Sequence, residues 1–304
     1  MPRPDVAMLG IAYRRIPLLA IGRDVYLDTK LQLYKLELLH PDKPGLGADN
    51  PGDKAVQHLL SRLMNDAGVF AYASQLIPPN LPLLKDPAFS KDRGELTGRR
   101  WDEEAMLKGR PDALIEIVNV FKFLESTLLA DGRTWILKTD TPSLADIEAV
   151  WPLHWLTGMP GALPKEMFSA AKYPKVYAWI QRFQETVSAM EKKLGKPRKL
   201  SGEEAAKLIG NGQFHDADKG VDGADPVVEF QQLKNGDKIM LWPVDTGSAH
   251  KEVGTLIGVD QEETVIEVLQ SDQTAVRVHA PRHGYRFRKV TEEDEKSRRL
   301  QGKL

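Results

Sequence analysis

The chain has 304 residues, a formal net charge of −1, 28% charged residues and no cysteine. That length exceeds what one hydrophobic core usually serves, so two or three domains are expected, and the near-neutral charge argues against a general nucleic-acid or polyanion binder. Without cysteine there is no disulfide, no cysteine metal ligand and no cysteine nucleophile. No apolar run is long enough for a membrane span and Met1 to Asp5 carries no signal-peptide core, which predicts a cytoplasmic protein with no membrane partner.

Residues 1–40 are short and mixed, and Pro4 to Gly10 can form a short helix. Arg15-Ile16-Pro17-Leu18-Leu19-Ala20-Ile21 reads as a buried strand, Gly22-Arg23-Asp24 as a tight turn and Val25-Tyr26-Leu27 as a second strand, which together make a hairpin. Asp28-Thr29 then caps an amphipathic helix whose apolar stripe is Leu31, Leu33, Leu36 and Leu39, and His40-Pro41 ends it. Residues 41–51, rich in Pro, Gly, Asp and Asn, are a linker.

From 52 to 195 the pattern is helical. One helix runs from Asp53 towards Leu76, through Gly68, until Pro78-Pro79 stops it. A second follows Pro111, a residue suited to a first turn, with Leu114, Ile117, Val118, Phe121, Leu124 and Leu128 apolar. A third starts at Ser143 and a fourth near Tyr173, with Trp151, Trp155 and Trp179 as core residues.

Residues 196–225 are a polar connection. They hold a short helix with Ser201 and Glu204 at capping-box spacing, then a Gly- and Asp-rich flexible tether from Gly210 to Asp225. Residues 226–290 turn to strand periodicity, with strands at Lys238–Val244, Val253–Val259, Thr264–Leu269, Ala275–Ala280 and Tyr285–Val290. They predict a small antiparallel barrel or sandwich, followed by a charged tail at 291–304. The expected fold class is α+β and multidomain: a partial α/β segment, an all-α domain and a small β domain.

Three motifs, in order and spacing, resemble the glutathione transferase family over about residues 1–195: Ile16-Pro17 with Val25-Tyr26-Leu27-Asp28-Thr29, Trp135-Ile136-Leu137 with Ser143-Leu144-Ala145-Asp146-Ile147, and Tyr173-Pro174-Lys175-Val176-Tyr177-Ala178-Trp179. The wording from Pro2 to Leu18 most resembles a fungal branch with an appended carboxy-terminal domain. The resemblance implies that residues 1–40 are part of a thioredoxin-like glutathione-binding domain and that 52–195 are the helical domain. It implies glutathione as substrate or cofactor, no metal, a small electrophilic or hydrophobic second substrate, and a homodimer. Conjugation or isomerisation in detoxification or secondary metabolism follows as the activity.

The residues themselves carry a compatible chemistry. If Ile16-Pro17 is cis, the Ile16 N–H and C=O face outward and an extended peptide can add there like a strand; the alternative is a trans-proline at a strand start. Asp28 and Thr29 can be plain helix caps. They can equally hold the γ-glutamyl end of glutathione, the helix-start N–H groups and the Thr29 hydroxyl taking the carboxylate and Asp28 the ammonium. The resemblance assigns that role to an acidic-plus-hydroxyl pair, with threonine here for the commoner serine. Arg14 and Arg15 can take the glycine carboxylate. The resemblance implies that the helix from 53 to 76 borders a second-substrate pocket, with His58, Arg62, Asn65, Phe70 and Tyr72 as candidates for its wall. Ser143 and Asp146 are read as a structural capping box, not as catalytic groups.

No thiol-activating residue can be named. The first βαβ unit of a thioredoxin-like domain needs about 30 residues, more than precede Ile16, and Tyr13 has no supporting motif. The expectation is that Met1 is an internal methionine of a longer protein and that the Ile16 strand lacks a neighbour. A catalytically inactive scaffold acting as a protein-interaction module is therefore the alternative function. A third reading, nucleic-acid binding, rests on the basic stretch Thr274 to Lys289; it is opposed by the net charge and by acids at Glu262, Glu263, Glu267 and Glu292 to Glu295. His279 and His283, across a Pro-Arg turn, do not make a metal site by spacing.

Overall fold

The computed structural model describes residues 3–300, so Met1 and the last four residues of the expected tail lie outside the described residues. The chain forms two compact units, one of Met1–Leu39, Asp92–Arg99 and Arg198–Leu304, the other of His40–Lys91 and Arg100–Pro197.

The first unit begins with a short helix, α1 (Pro4–Ala7). Strands β1 (Leu19–Ile21) and β2 (Asp24–Tyr26) then form an antiparallel hairpin. Gly22 sits in its turn at φ +57°, where a Cβ would strike the Gln213 carbonyl oxygen, so only glycine fits. Ile16-Pro17 is cis, and residues 15–18 stay out of the ladder. Helix α2 (Thr29–Leu39) buries Leu31, Gln32 and Lys35 while Leu36 and Leu38 are exposed, so the expected leucine stripe is not its inner face. Polar partners set that rotation. Gln32 Nε2 donates to the carbonyls of Pro17 and Tyr26 at 2.9 and 3.0 Å, and the Lys35 ammonium meets buried acids.

The second unit holds the helices expected between 52 and 195, with two changes. The first is two helices, α3 (Pro51–Asn65) and α4 (Val69–Gln75), broken at Gly68 with φ +86°. After a 3-10 turn at Pro82–Lys85 and helix α5 (Pro87–Thr97), helix α6 (Glu103–Ser126) starts ahead of Pro111, not after it. Asp102 caps α6 by accepting from the Ala105 N–H at 2.9 Å, and the burial of Met106, Ala113 and Ile117 outweighs the proline inside it. Helices α7 (Leu144–Thr157) and α8 (Pro174–Leu194) begin where Ser143 and Tyr173 place them. Met64, Leu76, Ile117, Phe121, Leu124, Leu153 and Trp179 are fully buried in this unit's core, whereas Trp151 and Trp155 are half-buried beside Phe70.

The first unit resumes with α9 (Gly202–Gly210), where the Ser201–Glu204 capping box is formed. The stretch expected to be a flexible tether is instead laid along the sheet, bridging Gly22 at Phe214 and Val259 at Val221. Its backbone donors find acceptors there, Asp222 N–H on the Val259 carbonyl at 3.0 Å among them. Helix α10 (Pro226–Gln231) is capped by Asp225. Strands β3 (Lys238–Pro243), β4 (Glu252–Val259), β5 (Glu263–Leu269), β6 (Ala275–Pro281) and β7 (Tyr285–Lys289) match the alternation read from sequence within one residue at each end, and α11 (Glu292–Leu300) follows.

These strands do not make a separate antiparallel barrel or sandwich. All seven lie in one mixed sheet of order β1-β2-β6-β5-β4-β3-β7. The amino-terminal hairpin joins it through β2, which runs parallel to β6 with Val25 opposite Val278. The segments expected as two domains, 1–40 and 226–290, thus share one sheet and one core of Val25, Leu27, Ile239, Leu256, Ile266, Val276 and Val278. β6 neighbours β2, while β1, which follows Ile16-Pro17, stays at the edge of the sheet. At the other edge, Gln231 Oε1 accepts the Lys289 N–H at 2.9 Å and its Nε2 donates to the Phe287 carbonyl at 3.2 Å. That amide imitates a strand and blunts β7. Among the described residues, no helix is long and apolar enough to cross a membrane.

Candidate functional site

The residues expected to hold glutathione lie around the segment before β1 and the start of α2. Ile16 is 58% exposed, and among the described residues its N–H and C=O make no backbone hydrogen bond. Asp28 has φ +65° and its carboxylate accepts the Lys30 N–H at 3.1 Å, while Thr29 is exposed at the first position of α2. Arg15 reaches towards Asp28 at 3.8 Å and pairs with Asp245 at 3.1 Å.

Behind Arg15 lies a pair of buried phenols. The Tyr13 and Tyr285 hydroxyls are 2.6 Å apart, Arg15 donates to the Tyr285 hydroxyl at 3.0 Å, and its guanidinium stands over both rings. Burial pushes the Tyr13 and Tyr285 hydroxyls up from their ordinary values. Arg14 is committed to Asp92 and His250, and the Glu252 carboxylate accepts the Tyr13 N–H.

A second constellation was missed by sequence reasoning. His279, on β6, is buried between two carboxylates, with Nε2 2.8 Å from Asp24 on β2 and Nδ1 2.9 Å from Glu263 on β5. The remaining Asp24 oxygen accepts the N–H groups of His215 and Asp216 at 2.5 and 3.2 Å. The remaining Glu263 oxygen meets Lys35 at 2.8 Å and Lys219 at 3.1 Å, and Lys35 also pairs with Asp216. Burial alone would lower the imidazole's affinity for its proton, but the hydrogen bonds it donates to Asp24 and Glu263 raise it. Burial likewise favours the protonated Glu263 carboxyl, yet His279 and Lys35 hold it down to about 2; Asp24 is lowered by the same imidazole. No local motif signals this network, because its members are scattered between Asp24 and His279, 255 residues apart. Donor atoms of Asp216, Glu263 and His279 lie within 4.8 Å of one another. Lys35 already bridges the two carboxylates there, so the donor set fits an ionic network and not a metal centre.

The basic stretch before Lys289 is answered by acids: Arg282 by Asp225 at 2.5 Å, Arg288 by both oxygens of Asp294, and Lys289 by Asp237 at 2.9 Å. Those pairings match three of the five Lys and Arg residues between Thr274 and Lys289 with acids.

In the second unit, the second-substrate candidates lie on α3 and α4. His58 and Arg62 hydrogen-bond along α3 at 3.2 Å, Asn65 turns back to the Ser61 carbonyl, Phe70 packs on Trp151 at 4.9 Å, and Tyr72 is exposed on α4. The Asp146 carboxylate accepts the Ser143 N–H and hydroxyl at 2.9 and 2.7 Å. Its other oxygen accepts the Ile136 N–H and the Trp179 indole N–H at 2.9 and 2.8 Å. Both oxygens are spent on structure, which leaves Asp146 no chemistry to do.

Residues 72–192 match a family described as a domain of unknown function, DUF7962. No curated protein matches the chain. Among solved structures, a GST-like protein from Pseudomonas syringae is 23% identical with a TM-score of 0.63, covering 95% of this chain and 86% of that one. A glutathione transferase homologue from Sulfitobacter, solved with bound glutathione, is 18% identical with a TM-score of 0.40, over 59% of this chain and 74% of that one. A β-etherase from Sphingobium sp. strain SYK-6 is 16% identical with a TM-score of 0.44, over 58% and 78%. The Pseudomonas syringae match spans nearly the whole chain, and the chain shares the fold of that GST-like protein.

Proposed function

We propose that this chain is a glutathione transferase-like protein that holds glutathione at Arg15, Ile16, Pro17, Asp28 and Thr29. The observation that carries the reading is the exposed Ile16, whose N–H and C=O make no backbone hydrogen bond among the described residues, close in the chain to the Asp28-Thr29 start of α2. A zwitterionic γ-glutamyl group needs an acid, a helix start and an open backbone strand together. The shared fold with the GST-like protein of Pseudomonas syringae supports it. The same proposal includes a small electrophilic second substrate, a fungal-type lineage, a homodimer, a cytoplasmic location and a role in detoxification or secondary metabolism.

The non-catalytic scaffold is the second reading, and one observation favours it. The Tyr13 and Tyr285 hydroxyls beside Arg15 are buried and spent on each other and on Arg15, so neither is free to stabilise a thiolate. Calorimetric titration with glutathione, followed by a conjugation assay with a chloronitrobenzene, separates the readings. Binding with turnover supports the enzyme, binding without turnover the scaffold, and no binding overturns the glutathione site.

A further inference from the structure

We infer that His279 is a protonated clamp that fastens the middle of the connecting segment, residues 215–219, onto the sheet, and that loss of its proton releases that segment. Carboxylate oxygens only accept hydrogen bonds, so a ring with one carboxylate on each nitrogen must donate from both and carry a positive charge. Each of those carboxylates has a second task. Asp24 holds the N–H groups of His215 and Asp216, and Glu263 holds Lys219. The imidazolium is therefore a shared counter-charge of two of the groups that tie this segment down; Lys35 on Asp216, Arg277 on the Asp216 carbonyl and Asp260 on Lys219 are the others.

The charged and titratable surroundings are these. On β2 stand Asp24 and Tyr26, whose ring lies 4.6 Å from the imidazole; on β5 stands Glu263; on α2 stands Lys35. The segment itself contributes Asp216, 3.9 Å from Nδ1, and Lys219, which also pairs with Asp260 after β4. On β6, Arg277 donates to the Asp216 carbonyl at 3.2 Å. A neutral ring turns one lone pair towards a buried carboxylate, so Asp24 or Glu263 loses its hydrogen bond from the imidazole and faces that lone pair instead. The raised affinity of His279 for its proton gives the sign: the clamp is closed below the ordinary histidine value and opens as pH climbs through the higher value of the folded chain. The ends of the segment have other anchors, Gln213 on the Arg23 N–H and Asp222 on the Val259 carbonyl, so only the middle opens. Opening uncovers the cleft lined by Ile257, Val259, Val265 and Arg277.

Amide hydrogen exchange of the full chain between pH 6 and 10, corrected for intrinsic rates, tests this alongside NMR of the imidazole nitrogens. The expected result is a doubly protonated His279 at pH 7, and at least a tenfold loss of protection at His215 and Asp216 as the ring titrates, with Asp222 unchanged. His279→Gln should show that loss already at pH 6. A neutral, single-tautomer ring at pH 7 overturns the clamp even if the variant does not fold. So does protection that stays equal at all three amides after the ring has titrated, or a ring still charged when the whole chain unfolds.

Discussion

Asp24 and His279 are 255 residues apart in sequence and 2.8 Å apart inside one sheet. Removing one partner of a buried ion pair leaves an uncompensated charge, so Asp24→Asn should destabilise the first unit by about 3 kcal/mol or more. Urea unfolding measures it. The double variant with His279→Gln should lose less than the sum of the single losses, since the two groups share one interaction.

Acid should act on the same network in a defined window. Glu263 is held down to about 2 in the folded chain, below the ordinary glutamate value of about 4.3. Its contribution is present above the unfolded value and is lost as pH falls from there through 2. Thermal midpoints recorded from pH 6 to 2 should fall steeply in that range, and Glu263→Gln should lower the midpoint at pH 6 and flatten the fall.

Asp146 joins three places in the second unit: the N-terminus of α7 at Ser143, the Ile136 N–H and the Trp179 indole on α8. Asp146→Ala strands these buried donors and should destabilise by about 3 kcal/mol, at about 1–3 kcal/mol for each group left unpaired. Trp179→Phe in the Asp146→Ala background should lose less than in the wild type, because the indole donor has already lost its acceptor. Denaturant midpoints of the four proteins decide it.

Gln231 should behave as a guard on β7. Gln231→Ala frees the Lys289 N–H and the Phe287 carbonyl on an edge that carries Tyr285 and Phe287. The expected outcome is concentration-dependent association with little change in unfolding midpoint, read by light scattering.

At the proposed glutathione site, Asp28→Asn keeps a residue suited to φ +65° while removing the charge. Affinity for glutathione should fall about tenfold, equivalent to about 1.4 kcal/mol, through loss of a charge-assisted contact to the ammonium. Calorimetric titration measures it, and an unchanged affinity removes Asp28 from the site.

What was legible in the sequence was local. Alternation gave β3 to β7 almost to the residue, and Ser143 and Tyr173-Pro174 marked helix starts. What was illegible depended on partners far along the chain. The inner face of α2 is set by Lys35 seeking Asp216 and Glu263, which no hydrophobic stripe can reveal. Pro111 looked like a beginning because the cap that matters, Asp102, lies nine residues earlier. The residues proposed for glutathione cluster within 15–29 and come from a resemblance, whereas the His279 network needs the parallel pairing of β2 with β6.

That parallel pairing also fixes an order of events during synthesis. The hairpin of β1 and β2 leaves the ribosome first, while the strand that must lie beside it is made about 250 residues later. The second unit, by contrast, lies within residues 40–197, all of them made before β6. The helical unit can therefore be complete while the nascent hairpin still waits with Asp24 unpaired. Any ribosome stall before His279 is made leaves a chain whose first unit has neither its sheet nor its counter-charge, a natural substrate for chaperones.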